Sequence, residues 1–386
     1  MTALVPASAD ELAHILHEAA AKSQPLTIFG NNSKRSMAGP VLPADAVIST
    51  AGLRRVLQYE RDDLTISVEA GMPFAELQSL LAKNKQMIAL DPPFHTQATI
   101  GGVVASNSTG PLRRAFGTAR DLIIGMTFAT LEGKLVKTGG MVVKNVAGLD
   151  MGKLMIGSFG TLAVITNVNF RVHSLPAEMR TFLYTYGDLE TAIEKRNQVL
   201  RSVLQPLSVD LVTAPAAARI GLRGYALLLR AGGSSTVLNR YRGELQGGDV
   251  IAGQQELALW QSIREFSPEF LRRQPGGIVL RISTPLDRIQ ALLKVATGAC
   301  ISRAASGVTY AYLSSWQGVP NLWKTASEYG WTAVVEHAPD ELRESKDLWL
   351  ERHSDGWTNT FDMMKKIKHM FDPHNLLNRS RLYGRI

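Results

Sequence analysis

Leu26-Thr27-Ile28-Phe29-Gly30-Asn31-Asn32-Ser33-Lys34 runs a short apolar strand straight into a tight polar loop, and Val47-Ile48-Ser49 then resumes an extended pattern. Strand, polar loop and strand make a ligand-binding layout. The loop offers successive backbone N–H groups, a Gly, two Asn that tolerate left-handed geometry and a Lys, which is what a nest for a diphosphate requires. A plain turn has the same composition, so the loop gains meaning only from the segments around it. Neither G-x-x-x-x-G-K-[ST] nor G-x-G-x-x-G between strand and helix occurs.

Upstream, Ser8 stands three residues before Glu11, a capping-box spacing, and Leu12, Ile15, Leu16 and Ala19 recur at helical period. Downstream, residues 64–69 alternate apolar and polar side chains as a half-buried strand, and Pro73 opens a helix through residue 83. Residues 122–138 read as a hairpin turning at Glu132-Gly133, and residues 162–172 as a long strand. Beyond Pro176 the order strand 181–186, helix, strand near 209, strand 225–230 and helix is followed by 278–283, 286–297, 308–313, a helix near Trp323 and 332–336. That repetition predicts an α+β chain with a duplicated ferredoxin-like cap. We place a first domain at residues 1–173, the cap at 174–345, and at 346–386 a C-terminal segment whose helix, stopped by Pro373, returns to the first domain.

The chain has 386 residues, 45% of them hydrophobic and 20% charged, which fits a two-domain globular enzyme rather than a disordered chain. A net charge of +8 would attract a phosphate-bearing cofactor, an anionic lipid surface or an acidic protein, and the basic residues lack the aromatic interleaving of an RNA-binding sheet, so no nucleic-acid partner is expected. Cys300 stands alone, which excludes an internal disulfide framework and a cysteine-held zinc or iron–sulfur site made by this chain only; no metal site is expected. No run of about 18 apolar residues occurs. The expected address is cytoplasmic, with any membrane association peripheral, on the inner face and through partners.

Several loops are shaped together: Asp91-Pro92-Pro93, Thr99-Ile100-Gly101-Gly102, Asn107-Ser108-Thr109-Gly110, Phe116-Gly117 with Arg120-Asp121, residues 144–150 (KNVAGLD) and residues 157–166 (GSFGTLAVIT). Adjacent glycines let backbone approach a bulky ligand, and Pro92-Pro93 fixes a loop's direction. Over residues 25–172 this order resembles the FAD-binding domain of the vanillyl-alcohol oxidase and p-cresol methylhydroxylase (PCMH) superfamily. The KNVAGLD and GSFG segments, with F-D-P-x-x-x-x-N at residues 371–378, resemble the FAD-binding subunits of bacterial glycolate oxidases.

The resemblance implies a two-subdomain PCMH-type domain in which Gly30, Asn31, Asn32, Ser33 and Lys34 hold the diphosphate. Pro92, Pro93, Thr99, Gly101 and Gly102 would line the flavin and ribityl region, and backbone at Val164 and Ile165 would meet the adenine. Asn107, Gly110, Phe116, Gly117, Arg120, Asp121 and Gly160 complete the implied cofactor set. Relatives with covalent flavin present a His in the diphosphate loop; Asn32, Ser33 and Lys34 cannot form that bond, so non-covalent FAD is expected. Leu149 stands where relatives often have Tyr, and Asn378-Arg379-Ser380 replaces N-P-G.

Catalytic flavin subunits of the 2-hydroxy-acid group resemble one another in a cap His-x-His, and the eight His here, at 14, 17, 95, 173, 337, 353, 369 and 374, include no such pair. Glu336-His337 is the best remaining acid/base candidate, with a surface pair at a strand end as the expected placement. The resemblance therefore implies that a partner catalytic flavin subunit takes hydride from glycolate, giving glyoxylate. This chain's FAD, with an iron–sulfur subunit, would pass the electrons to a quinone-type acceptor. Two alternatives stand beside it. One is a self-sufficient FAD-dependent dehydrogenase of D-lactate or a similar 2-hydroxy acid, with Arg281 or Arg352 on the substrate carboxylate. The other is a non-catalytic assembly subunit whose basic C-terminal residues dock acidic partners.

Overall fold

The computed structural model describes residues 2–141, 150–350 and 360–386. The KNVAGLD segment, apart from Asp150, and Arg352 lie outside the described residues.

Thr65–Glu69 is buried along its whole length rather than on one face only. Val56–Glu60 and Val164–Arg171 flank it antiparallel, Ile66 and Val68 enter the apolar core, and on the polar face Ser67 and Glu69 find side-chain partners while the Thr65 hydroxyl does not. Ser67 donates to Asn169 at 2.7 Å, and Glu69 accepts from the Arg55 backbone at 2.7 Å and from its guanidinium at 2.8 and 3.0 Å. Satisfied hydrogen bonds are what allow these polar groups to be buried. The sheet continues through Ile123–Ala129 to Leu135–Gly139, the predicted hairpin. Gly133 turns it at a φ of +76°.

The predicted strand before the polar loop, Leu26–Phe29, pairs in parallel with Ala46–Ser49. Leu4 bridges Ile48 on one side and Leu377 bridges Leu26 on the other, so the two ends of the chain extend this small sheet. The opening helix Ala9–Ala21 packs against it through Leu12, Leu16 and Ala19, capped as its sequence predicts by Ser8 at Glu11 N.

The cap is one eight-stranded antiparallel sheet in the order Asp249–Ala252, Glu178–Tyr186, Tyr225–Gly233, Ser208–Val212, Ala299–Arg303, Val308–Leu313, Ile278–Ser283 and Thr332–His337. Each half has the ferredoxin-like order 4-1-3-2, and the halves join through their second strands, where Leu211 faces Ser302. The duplication predicted from element order is therefore present. Helices Leu189–Arg201, Ile289–Val295 and Val319–Glu328 cover one face, and Trp260, Phe266 and Phe270 the other.

The outermost cap strand reaches the polar loop. His337 bridges Met37, Ala38 N donates to Glu336 O at 2.8 Å, and Arg343 donates to the Gly39 carbonyl. Residues 34–39 are thus held on one side by the cap and on the other by Arg381, whose guanidinium meets the carbonyls of Lys34, Met37 and Gly39.

Candidate functional site

A groove of about 410 Å³ lies over the end of the small parallel sheet, within the range of roughly 300–1,000 Å³ usual for cofactor sites. Its floor is the loop Gly30 to Lys34. Asn32 sits at a φ of +55°, in the left-handed region, and among the described residues no protein acceptor meets the backbone N–H groups of Asn31, Asn32, Ser33 and Lys34. Four neighbouring donors without internal partners form an anion-binding nest.

Gly30 is required by packing. A Cβ there would lie 2.1 Å from Thr99 Oγ1, and that hydroxyl caps the helix Ile100–Ala105 by accepting from Gly102 N at 3.2 Å. Gly101 and Gly102 on that helix line the groove, with Gly160, Val164 and Ile165 on the opposite wall. A Cβ on Gly101 would meet the Ala70 Cβ at 2.9 Å, so the helix lies close against the five-stranded sheet only because it carries no side chain there.

The C-terminal segment closes the groove with side chains whose role the sequence does not reveal. Asn378 exchanges two hydrogen bonds with the Ile28 backbone, at 2.7 and 3.0 Å, and donates to Phe159 O at 2.8 Å, tying the floor to the far wall. Its only sequence signal is the last position of F-D-P-x-x-x-x-N. Of the basic C-terminal residues, Lys368 and Arg381 point inward, whereas Lys365 and Lys366 are exposed. Lys368 donates to Thr161 O, Asp372 and Leu377 O at 2.8, 2.5 and 3.0 Å, and burial lowers its pKa.

A second cavity of about 60 Å³ adjoins the groove, and Lys34 and Ser106 line both. The cap supplies Arg281, Arg303, Tyr310, Tyr312, Glu336 and His337 to it, and the loops supply Pro93, Asn107 and Gly110. Glu336-His337 is thus not a surface pair: His337 is 2% exposed, and Glu336 faces the cavity with the Arg281 Nε 3.3 Å away. The cause is the bridge to Met37, which covers a strand edge that the sequence leaves open. Burial pushes His337 down to about 3, with Lys34 adding to the effect, so its imidazole is neutral, and its Nδ1 lies 3.2 Å from Ser36 Oγ. Burial raises the Glu336 carboxyl, against the pull of Arg281, Arg303 and Lys34.

Lys34 is the unusual member. Its Nζ is buried with no hydrogen-bond partner among the described residues, 5.7 Å from the Phe94 ring centre. Burial lowers its pKa to about 8, although Glu265 and Glu336 oppose the shift.

The remaining expected residues lie elsewhere. Pro92, Phe116, Gly117, Arg120 and Asp121 line neither space. Phe116 packs edge-on against His173, and Asp121 accepts from Thr118 N at 2.7 Å to cap a short helix. Pro92 and Pro93 belong to a loop pinned by Glu265, which accepts from Phe94 N and His95 N at 2.9 and 3.1 Å.

Residues 2–139 match the family profile described as FAD binding domain, and residues 321–382 that of FAD linked oxidases, C-terminal domain. Glycolate oxidase subunit GlcE of Escherichia coli K12 is 32% identical over 275 residues, covering 70% of this chain and 72% of that protein. The chain belongs to the FAD-linked oxidase family. Another relative, glycolate oxidase subunit GlcD of Bacillus subtilis 168, is 22% identical over 423 residues, covering 99% of this chain and 88% of its own length. The fold of this FAD-linked oxidase is that of p-cresol methylhydroxylase, with a TM-score of 0.74 over 99% of this chain and 88% of that one at 12% identity. FAD is accordingly its cofactor. The groove fits it: the nest offers N–H donors to a diphosphate, and Gly30, Gly101 and Gly102 let backbone come close. Among the described residues, no helix of the oxidase is long and apolar enough to cross a membrane.

Proposed function

We propose that this chain is the FAD-bearing subunit of a small 2-hydroxy-acid oxidoreductase of the glycolate oxidase type. The flavin is held non-covalently between residues 1–173 and 346–386, with residues 174–345 as the cap. The reaction read here is glycolate to glyoxylate, with electrons passing to a quinone-type acceptor. The observation that carries the reading is the unclaimed N–H nest at Asn31 to Lys34, opening onto a cation-lined cavity. The similarity to glycolate oxidase subunits supports the substrate class.

In this reading the nest, Thr99 and the 160–165 wall bind and orient the cofactor, and the absence of a His in the loop supports non-covalent attachment. Bound FAD would supply a redox centre able to carry two electrons from the partner's flavin toward the acceptor. Cys300, the only cysteine, is buried and pushed up to about 12 by desolvation, which supports an iron–sulfur cluster on another subunit. A catalytic flavin subunit and an iron–sulfur subunit are the partners this reading requires. One observation favours the self-sufficient alternative: the cavity beside the groove gathers Arg281, Arg303 and Glu336 from the cap.

Anaerobic spectroscopy separates these outcomes. The isolated chain is expected to be yellow, and the assembled complex to bleach with glycolate. Bleaching of the isolated chain by glycolate or D-lactate would move catalysis into this subunit. A chain that cannot be loaded with FAD sinks the flavin reading, and a loaded complex left oxidised by both acids sinks the substrate class.

A further inference from the structure

A third space, of about 400 Å³, opens on the cap where the helices Ala214–Arg219, Gly253–Arg264 and Phe266–Arg273 meet. It is nearly as large as the cofactor groove, and the proposed function does not use it. Ile220, Phe266 and Phe270 give it an apolar floor, and Arg219 and Arg273 stand at its rim. Leu257, four residues before Gln261 of the same wall and so on the same helix face, is 53% exposed and carries the apolar surface outward.

Charge is uneven around this groove. Glu269 is shared by Arg272 and Arg273, at 2.8 and 2.5 Å. Glu265 turns inward, where it accepts from Phe94 N, His95 N and the Arg264 Nε, and Arg264 also pairs with Asp91. Arg219 meets no carboxylate among the described residues, and its guanidinium lies 5.2 Å from the Phe270 ring centre. The excess positive charge therefore stands at the exposed rim, above an aromatic floor. One helix elbow separates the groove from the second cavity: Ser262, Glu265 and Phe266 face the groove, and Ile263, Arg264 and Ser267 face the cavity.

We propose that this groove docks a partner subunit, which enters it with an acidic segment carrying an apolar or aromatic side chain. The floor takes the side chain, and the guanidinium forks of Arg219 and Arg273 take carboxylates on either side of it. An apolar centre with arginines at its edge is the usual composition of a protein interface. A second copy of this chain fits less well, because it brings the same net charge of +8 and the same arginines to the contact. The seated segment lies against Glu265, which fixes the backbone of Phe94 and His95 in the loop that carries Pro93 to the second cavity, so docking braces one wall of that cavity. The proposal rests on the reading of this chain as a subunit, while the groove, its floor and its excess charge stand without it.

The test is assembly of the tagged full chain co-expressed with the catalytic flavin subunit and the iron–sulfur subunit, with the flavin spectrum of the purified chain as the check on folding. R219E/R273E is expected to lower recovery of the partners at least tenfold at low salt while the chain stays yellow. A258W, which fills the groove without changing charge, should do the same. Wild-type assembly should weaken as salt rises. K365E/K366E makes the same charge change on an exposed helix face elsewhere and should assemble as wild type does. A photo-crosslinking side chain in place of Gln261 should join an acidic segment of a partner in the purified complex. R219E/R273E and A258W that both assemble as wild type, a cross-link to a second copy of this chain only, or assembly lost in K365E/K366E alone overturns the proposal. If glycolate still bleaches the complex in that case, this inference fails alone and the proposed function stands. A chain that assembles with neither subunit and is bleached by glycolate on its own removes the subunit reading and this inference together.

Discussion

Asn378 and Ile28 bind each other twice across 350 residues of sequence: Ile28 N–H donates to the Asn378 Oδ1 at 2.7 Å, and Asn378 Nδ2 donates to the Ile28 carbonyl at 3.0 Å. The same amide nitrogen reaches Phe159 O at 2.8 Å, so one side chain fixes the spacing between the two walls of the groove. Three hydrogen bonds at about 1 kcal/mol net each predict that N378A destabilises the protein by about 2–3 kcal/mol. FAD affinity should fall by at least tenfold. Denaturant unfolding and fluorescence titration of FAD measure the two effects separately. N378D, which keeps the acceptor and loses both donors, should resemble N378A in FAD affinity; wild-type affinity in both variants would remove Asn378 from the site.

The elements of this fold were legible because their signals are local. Ser8 before Glu11, the Glu132-Gly133 turn and the repeated strand–helix order of the cap each depend on neighbours within a few residues. The nest was legible for the same reason, since Gly30 to Lys34 is one continuous loop. The second cavity was not, because Lys34, Arg281, Arg303 and Glu336 come from four separate segments, and an inward-facing Arg on a cap strand has no local mark. Glu336-His337 looked like a strand end open to solvent; the strand edge is covered by Met37, a contact between residues 300 positions apart. Asn378 stood in a recognised motif, yet its partners are set by the return of the chain end to Leu26, which no periodicity encodes.

Gly30 and Thr99 make the second prediction. A Cβ at Gly30 would overlap the Thr99 hydroxyl at 2.1 Å and its Cγ2 at 2.9 Å. G30A must therefore displace the residue that caps the helix Ile100–Ala105. FAD loading should drop at least tenfold in G30A, while T99A alone, which loses one cap, costs about 1 kcal/mol of stability. The double variant G30A/T99A should recover part of the loading, because the two side chains no longer compete for one space. A double variant no better than G30A would place the defect in the loop itself.

Lys368 should behave as a structural lysine. All three of its N–H donors are used, and Asp372, its partner, also accepts from Leu376 N at 2.9 Å and Leu377 N at 2.7 Å. K368M removes one half of a buried pair and strands the other, which predicts a loss of about 3–5 kcal/mol. K368M/D372N should recover part of it, because the uncompensated carboxylate is gone. Chemical denaturation of the two variants is sufficient to compare them.

Lys34 should behave in the opposite way. Its ammonium is buried with no hydrogen bond, and desolvation brings its pKa from 10.5 to about 8. Below pH 8 the folded and unfolded chains both hold the proton, and the full burial penalty stands. Between about 8 and 10.5 the unfolded chain holds more protons than the folded one, so folding stability rises with pH across that window. K34M removes the penalty at its source. It should stabilise the protein at pH 7 by about 1–3 kcal/mol, and the gain should shrink toward zero above pH 10. The same substitution should weaken glycolate binding at pH 7, since an anion gains most from the cation that has no other partner. In the wild type, glycolate affinity should fall as pH rises through about 8, and in K34M this pH dependence should vanish. A residue whose removal strengthens the fold while weakening the ligand is kept for the ligand. K34M that loses stability, or that leaves the pH dependence of glycolate binding unchanged, would make Lys34 a structural residue like Lys368.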